Sequence, residues 1–164
     1  RNLLPEMPVR LVHLVMRDQG LIVPAGNPKA IQGIADLARA DVILINRQGG
    51  SGTRILLDYR LKQLGIAPER IAGYANEEFT HMAVAAAVIS GAADVGLGIH
   101  AAAKALGLDF IPVVTEQYDL LIPEVYFETA GVQELLAVVR GDRFKARVAA
   151  LGGYHTERTG EVLL

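Results

Sequence analysis

The chain has 164 residues, 51% of them hydrophobic and 21% charged, with a net charge of −2 and both signs scattered along its length. That size suits one domain or two small lobes, and the charge pattern lacks the clustered Lys and Arg of a nucleic-acid surface. The absence of cysteine excludes disulfides and thiolate metal sites, and no apolar run reaches the roughly 18 to 20 residues that span a bilayer.

Arg1 to Pro8 reads as an irregular lead-in with two prolines. Val9 to Met16 is apolar and β-branched enough for a buried strand. Gln19-Gly20 signals a turn, and Gly20 to Pro24 a second strand. After the loop Ala25 to Pro28, Ile31, Ile34, Leu37 and Ala38 recur at helical spacing, predicting a short helix to about Ala40. Val42 to Ile45 is a strand. The helix beyond it, to Leu64, is expected to bury Ile55, Leu56, Tyr59 and Leu64, and Gly65 with Pro68 marks its end. Ile71 to Ala75 reads as a short strand. An alanine-rich helix through Met82 to Ile89 follows and closes at Ser90-Gly91. Asp94 to Ile99 is a strand whose glycines keep a cleft wall low, and Ala101 to Leu106 a helix. Phe110 to Val114 and Tyr118 to Pro123 are two strand candidates, each with a proline that suits an edge or a crossover. Helices over Val132 to Val139 and Arg143 to Leu151 precede a turn-rich tail. Strands alternating with helices imply an α/β fold with mainly parallel sheets.

The stretch that carries chemistry is Asn46-Arg47-Gln48-Gly49-Gly50-Ser51-Gly52-Thr53-Arg54. Strand, glycine loop and helix start leave backbone N–H groups unpaired. Ser51 or Thr53 can cap the helix, whose dipole adds partial positive charge. Such an end suits an anion. The loop lacks the lysine of a Walker A motif and does not match G-x-G-x-x-G, so nucleotide readings are weak. Ser51 and Thr53 are the leading donors, with the Gly52 and Thr53 amides beside them. Arg54 sits in the first helical turn, where its charge opposes the dipole unless an anion or an acid is near. Arg47 reads as a solvated loop arginine. Thr80 and His81 open the alanine-rich helix and form a second helix start. Gly96 and Gly98 give backbone clearance, Asp94 is a turn or cap residue, and Tyr118, Tyr126 and His13 are packing or structural residues. Ser51, His81 and Asp94 are three common residues rather than a triad. There is no G-x-S-x-G elbow and no H-E-x-x-H. No catalytic constellation, cofactor motif or metal motif emerges.

The order of motifs resembles the type II periplasmic-binding-protein fold. Arg17 to Pro28 looks like the first crossover of that fold, and Asn46 to Arg54 like its second-lobe anion loop. Glu77 to Val88, Ser90 to Ile99 and Ala150 to Tyr154 complete the pattern. The nearest subgroup is the PBP-like domain fused to molybdopterin-biosynthesis proteins and to helix-turn-helix regulators of molybdenum metabolism. It is related to LysR-type substrate-binding domains and to molybdate- and tungstate-binding proteins. The resemblance implies two lobes joined by two crossovers, with the ligand held between them. Residues 25–114 would form lobe II, carrying the anion loop, and residues 1–24 with 115–164 a portion of lobe I. Such domains begin with a strand and helix upstream of Arg1, so lobe I is expected to be incomplete at its N-terminus.

The sequence therefore points to a non-catalytic domain binding a small oxyanion such as molybdate or tungstate, through Ser51, Gly52, Thr53, Arg54, Thr80, His81 and Gly98. The alternative is an effector-sensing domain of a helix-turn-helix transcription regulator. A pterin phosphate is a third option, weakened by the scarcity of aromatics to stack it. The expected partner is the anion itself, with no nucleic acid contact and no membrane insertion. Fusion to an enzyme or a DNA-binding domain and a homodimer are compatible with the resemblance. The expected location is cytoplasmic, or periplasmic or extracellular if a signal peptide has been removed.

Overall fold

The computed structural model describes residues 7–164, so most of the expected lead-in over residues 1–8 lies outside the described residues. The chain forms two compact units. One comprises Arg1–Arg17 with Glu116–Leu164, and the other Asp18–Thr115. Two long strands, β1 (Val9–Val23) and β5 (Asp109–Pro123), contribute residues to both units.

The unit Asp18–Thr115 is built on a sheet in the order β3-β2-β4-β1-β5. Within it β2 (Leu44–Arg47) runs parallel to β3 (Glu77–Glu78) on one side and to β4 (Val95–Ile99) on the other. β1 lies antiparallel to β4, with Gly20 opposite Gly98. Alternate residues of β1 feed opposite faces of the sheet. Leu21 and Val23 join a core with Leu44, Leu57, Leu61 and Leu97, while Ile22 joins Ile45, Val84, Ala85 and Ala103. Helix α1 (Gly52–Leu64) follows β2, α2 (His81–Ile89) follows β3, and α3 (His100–Ala105) follows β4.

In the other unit, β1 pairs antiparallel with β6 (Tyr154–His155), and Val12 bridges to Val162. The turn-rich tail is thus tied to a strand by Leu163 N–H to Leu11 O and His13 N–H to Glu161 O. Helices α4 (Glu124–Phe127), α5 (Ala130–Arg140) and α6 (Asp142–Leu151) complete this unit, with Val12, Ile122 and Leu136 as its core. His13 is buried and bonded through Nδ1 to Asp119 at 2.8 Å.

The α/β architecture matches the fold expected, but several elements differ from the sequence reading. The sheet is mixed: both pairings of β2 are parallel, whereas β1 is antiparallel to β4 and β6. No turn forms at Gln19-Gly20, and β1 continues through it. Gly20 serves close approach instead, since a Cβ there would lie 2.2 Å from the Ile111 carbonyl oxygen and 2.7 Å from the Phe110 ring. The two strands expected over 110–123 are likewise one. The helix expected from Ile31 shrinks to a 3-10 turn over Ile34–Ala38, because Asn27 and Ala30 adopt positive φ and the Asn27 side chain caps Ile31. No strand forms over 71–75, where turns run until pairing begins at Glu77.

Helix α1 presents a different face from the one anticipated. Thr53, Leu57 and Leu61 are buried, at steps of four, while Ile55, Tyr59 and Leu64 are exposed. Gly96 also has a packing role: a Cβ there would reach within 2.3 Å of Val84 and 2.8 Å of Ile45, so it lets α2 seat on the sheet.

Replacing Gly20 by Ala forces β5 backbone to move and is expected to cost about 1–3 kcal/mol, the usual penalty of overpacking. Gly33→Ala, at an extended residue with nothing within 4 Å of the added Cβ, serves as the control and should stay within about 0.5 kcal/mol. Urea unfolding of both variants measures the difference.

Candidate functional site

β2 and β3 are parallel neighbours with Arg47 opposite Glu78, so both end at the same edge of the sheet. Helix α1 begins five residues beyond the end of β2, and α2 three beyond the end of β3. Their N-termini are therefore brought to one edge of the unit, as the strand–loop–helix reading requires. Ligands of open α/β sheets sit at this carboxyl edge.

At the first helix start, Ser51 is the N-cap, its hydroxyl accepting the Arg54 N–H at 3.2 Å. Gly52 and Thr53 occupy the first two helical positions, where N–H groups have no partner within the helix. Thr53 does not cap. Its buried hydroxyl donates to Gln19 Oε1 at 2.8 Å, pinning α1 to β1. At the second start, Thr80 is the N-cap and accepts the Ala83 N–H at 3.0 Å. His81 is the first residue of α2, and Gly98 lies beneath it: a Cβ on Gly98 would sit 3.6 Å from His81 Nδ1 and 2.7 Å from the tip of Ile22.

Of the two arginines, Arg47 departs from the sequence reading. Arg47 is not solvated but buried, at 8% exposure. Its Nε donates to Gln48 Oε1 at 3.0 Å and its Nη2 to the Phe79 carbonyl at 3.0 Å, while Nη1 lies 3.0 Å from His81 Nδ1. Sequence reasoning missed this residue, although a strand-terminal arginine in an otherwise buried β2 carried a signal. Arg54 finds the acids that its position in the first turn calls for. It bonds Asp58 at 3.1 Å and Glu77 at 2.8 Å, and its guanidinium lies 4.2 Å from the centroid of the Tyr74 ring. The Tyr74 hydroxyl in turn donates to Asp58 at 2.6 Å. Burial, and then this bond to a carboxylate, push the Tyr74 phenol above its ordinary value.

Residues 1–140 match the model of the PBP superfamily domain. The chain belongs to the PBP superfamily. Its whole length is 42% identical, over 165 aligned residues, to the uncharacterized protein YvgK of Bacillus subtilis (strain 168). The chain spans about half of that relative, 53% of its length. Solved PBP-like structures share the fold at low identity. The substrate binding domain assigned to a molybdenum ABC transporter of Clostridium difficile superposes with a TM-score of 0.62 at 17% identity, over 88% of this chain and 66% of the other. A Clostridium perfringens substrate-binding protein with bound phosphate, assigned to a phosphate ABC transporter, superposes at 0.60 with 13% identity, over 90% and 71%.

The Tyr74 phenol sets a testable pH dependence. A folded-state value raised above the unfolded one means that stability from this proton is full below about pH 10 and is lost as pH rises through the folded value. The melting temperature of the wild type should therefore fall more steeply than that of Tyr74→Phe as pH rises above about 10. Parallel pH profiles would remove Tyr74 from the account.

Proposed function

We propose that this PBP-superfamily domain is a non-catalytic binding module for a small oxyanion, with molybdate or tungstate foremost, held at the paired starts of α1 and α2. The observation that carries the reading is the convergence of two hydroxyl-capped helix N-termini on one sheet edge. Each cap uses a lone pair to accept its helix N–H. A hydroxyl that accepts still has its own proton to donate, so Ser51 and Thr80 can each give one hydrogen bond to an anion. The Gly52 and Thr53 amides and the dipoles of both helices act in the same direction. Thr53 contributes only its amide, because its hydroxyl is committed to Gln19. Arg54, held by two carboxylates, orders the loop rather than meeting the ligand.

The oxyanion reading draws support from the PBP-like neighbours assigned to molybdenum and phosphate transport. The resemblance to domains of molybdopterin biosynthesis and of LysR-like regulators favours a role in molybdenum metabolism. There the module delivers or reports the anion for the polypeptide to which it is joined.

Titration calorimetry with molybdate, tungstate, sulfate and phosphate on the full-length polypeptide tests the reading. The expected result is saturable heat with at least one of the four, and no heat with any would overturn it. Ser51→Ala combined with Thr80→Ala should weaken binding by about 1–3 kcal/mol, the value of two lost donor bonds. Thr53→Val should leave affinity nearly unchanged while lowering stability by about 1 kcal/mol, through the lost bond to Gln19. The reverse pattern would return Thr53 to the ligand and remove Ser51 and Thr80.

A further inference from the structure

The oxyanion reading gives no task to Arg47, yet this side chain touches both halves of the proposed site. One planar guanidinium meets two stretches of chain, its own neighbour Gln48 and the run from Glu78 to His81. Nε donates to the Gln48 side chain at 3.0 Å and to the Glu78 carbonyl at 3.3 Å. Nη2 donates to the Phe79 carbonyl at 3.0 Å, and Nη1 lies 3.0 and 3.1 Å from the two ring nitrogens of His81. Phe79 and His81 flank the cap residue Thr80. On the other side, the Gln48 carbonyl accepts the Ser51 N–H at 3.2 Å, so Gln48 sits directly behind the cap of α1. A chain of bonds therefore runs from Ser51 through Gln48 and Arg47 to the residues on either side of Thr80.

We infer that Arg47 is the positioning residue of the oxyanion site, setting the spacing of the two helix starts so that a single anion bonds to both; this rests on the reading proposed above. The argument is geometric. Helix tips joined only by loops would drift independently, and an anion touching both would have to order them on binding. A buried, rigid fork of donors fixes that order beforehand. Lysine cannot replace it, because a single ammonium does not direct coplanar N–H groups at Gln48 on one side and at the Glu78–His81 run on the other.

The test measures anion affinity and coupling in parallel, using molybdate and phosphate as probes. Arg47→Gln and Arg47→Lys should both bind at least tenfold more weakly than wild type. In the wild type, the losses from Ser51→Ala and Thr80→Ala should combine non-additively, the double variant departing at least threefold from the product of the singles. In an Arg47→Gln background the two losses should simply multiply. A residue that only supported folding would lower the melting temperature and leave that coupling intact.

Three outcomes overturn the inference alone: wild-type binding with both Arg47 variants within twofold of it, full rescue by lysine, or coupling that survives Arg47→Gln. Wild-type protein that binds neither probe fells the site reading, and this inference with it. Should the Arg47 variants fail to fold, Gln48→Ala removes one acceptor from the fork and should weaken binding about threefold. Unchanged affinity there also overturns the proposal.

Discussion

Parallel pairing on both flanks of β2 is the constraint from which the rest follows. A parallel strand needs a crossover connection, and here each crossover contains a helix. Since β3 and β4 both follow the direction of β2, the chain leaves all three at one edge and begins its helices there. The result is a line of helix starts whose backbone N–H groups have no partner within the helix. β1 supports this edge from the antiparallel side. Its Gly20 lets β5 approach, and its Gln19 takes the Thr53 hydroxyl that fixes how α1 is rotated.

Charge is arranged around that edge with some care for sign. Two arginines near two positive helix ends set like charges against one another unless acids or dipoles offset them. The chain resolves this unequally. Arg54 is matched by Asp58 and Glu77, so its charge is largely spent within the fold. Arg47 is held by the Glu78 and Phe79 carbonyls, a side-chain amide and an imidazole. A guanidinium tolerates burial on such dipoles better than an ammonium does, being more weakly hydrated and able to direct several N–H bonds at once.

Much of this was legible in the sequence, and the boundary of legibility is physical. The glycine loop, the Ser51 cap and the Thr80 cap announce themselves locally, because capping depends on residues within four positions of one another. The family resemblance follows from the order of those local signals. What stayed hidden depends on distant partners. Gly20 looks like a turn residue until Ile111 is seen against it. Thr53 looks like a free donor until Gln19, thirty-four residues away, takes its proton. The buried face of α1 is hidden for the same reason: Thr53 anchors the stripe that continues through Leu57 and Leu61, and a threonine does not count as apolar in a periodicity. Arg47 reads as a surface residue because burial of an arginine is rare, and its backbone acceptors lie more than thirty residues away.

The choice of cap residue bears most directly on function. A helix start is capped about equally well by Asp, Asn, Ser or Thr. These side chains differ in what remains once the cap is made. An aspartate would leave negative charge at the tip and repel an anion, whereas a hydroxyl that accepts the cap bond keeps a proton to donate. The starts of α1 and α2 both carry the hydroxyl version, Ser51 and Thr80, while the carboxylates of Asp58 and Glu77 are bound to Arg54. A purely structural pair of caps has no reason to avoid the carboxylate, which would also gain from the helix dipole. Hydroxyl caps at both tips leave room for the proposed anion, where carboxylate caps would oppose it.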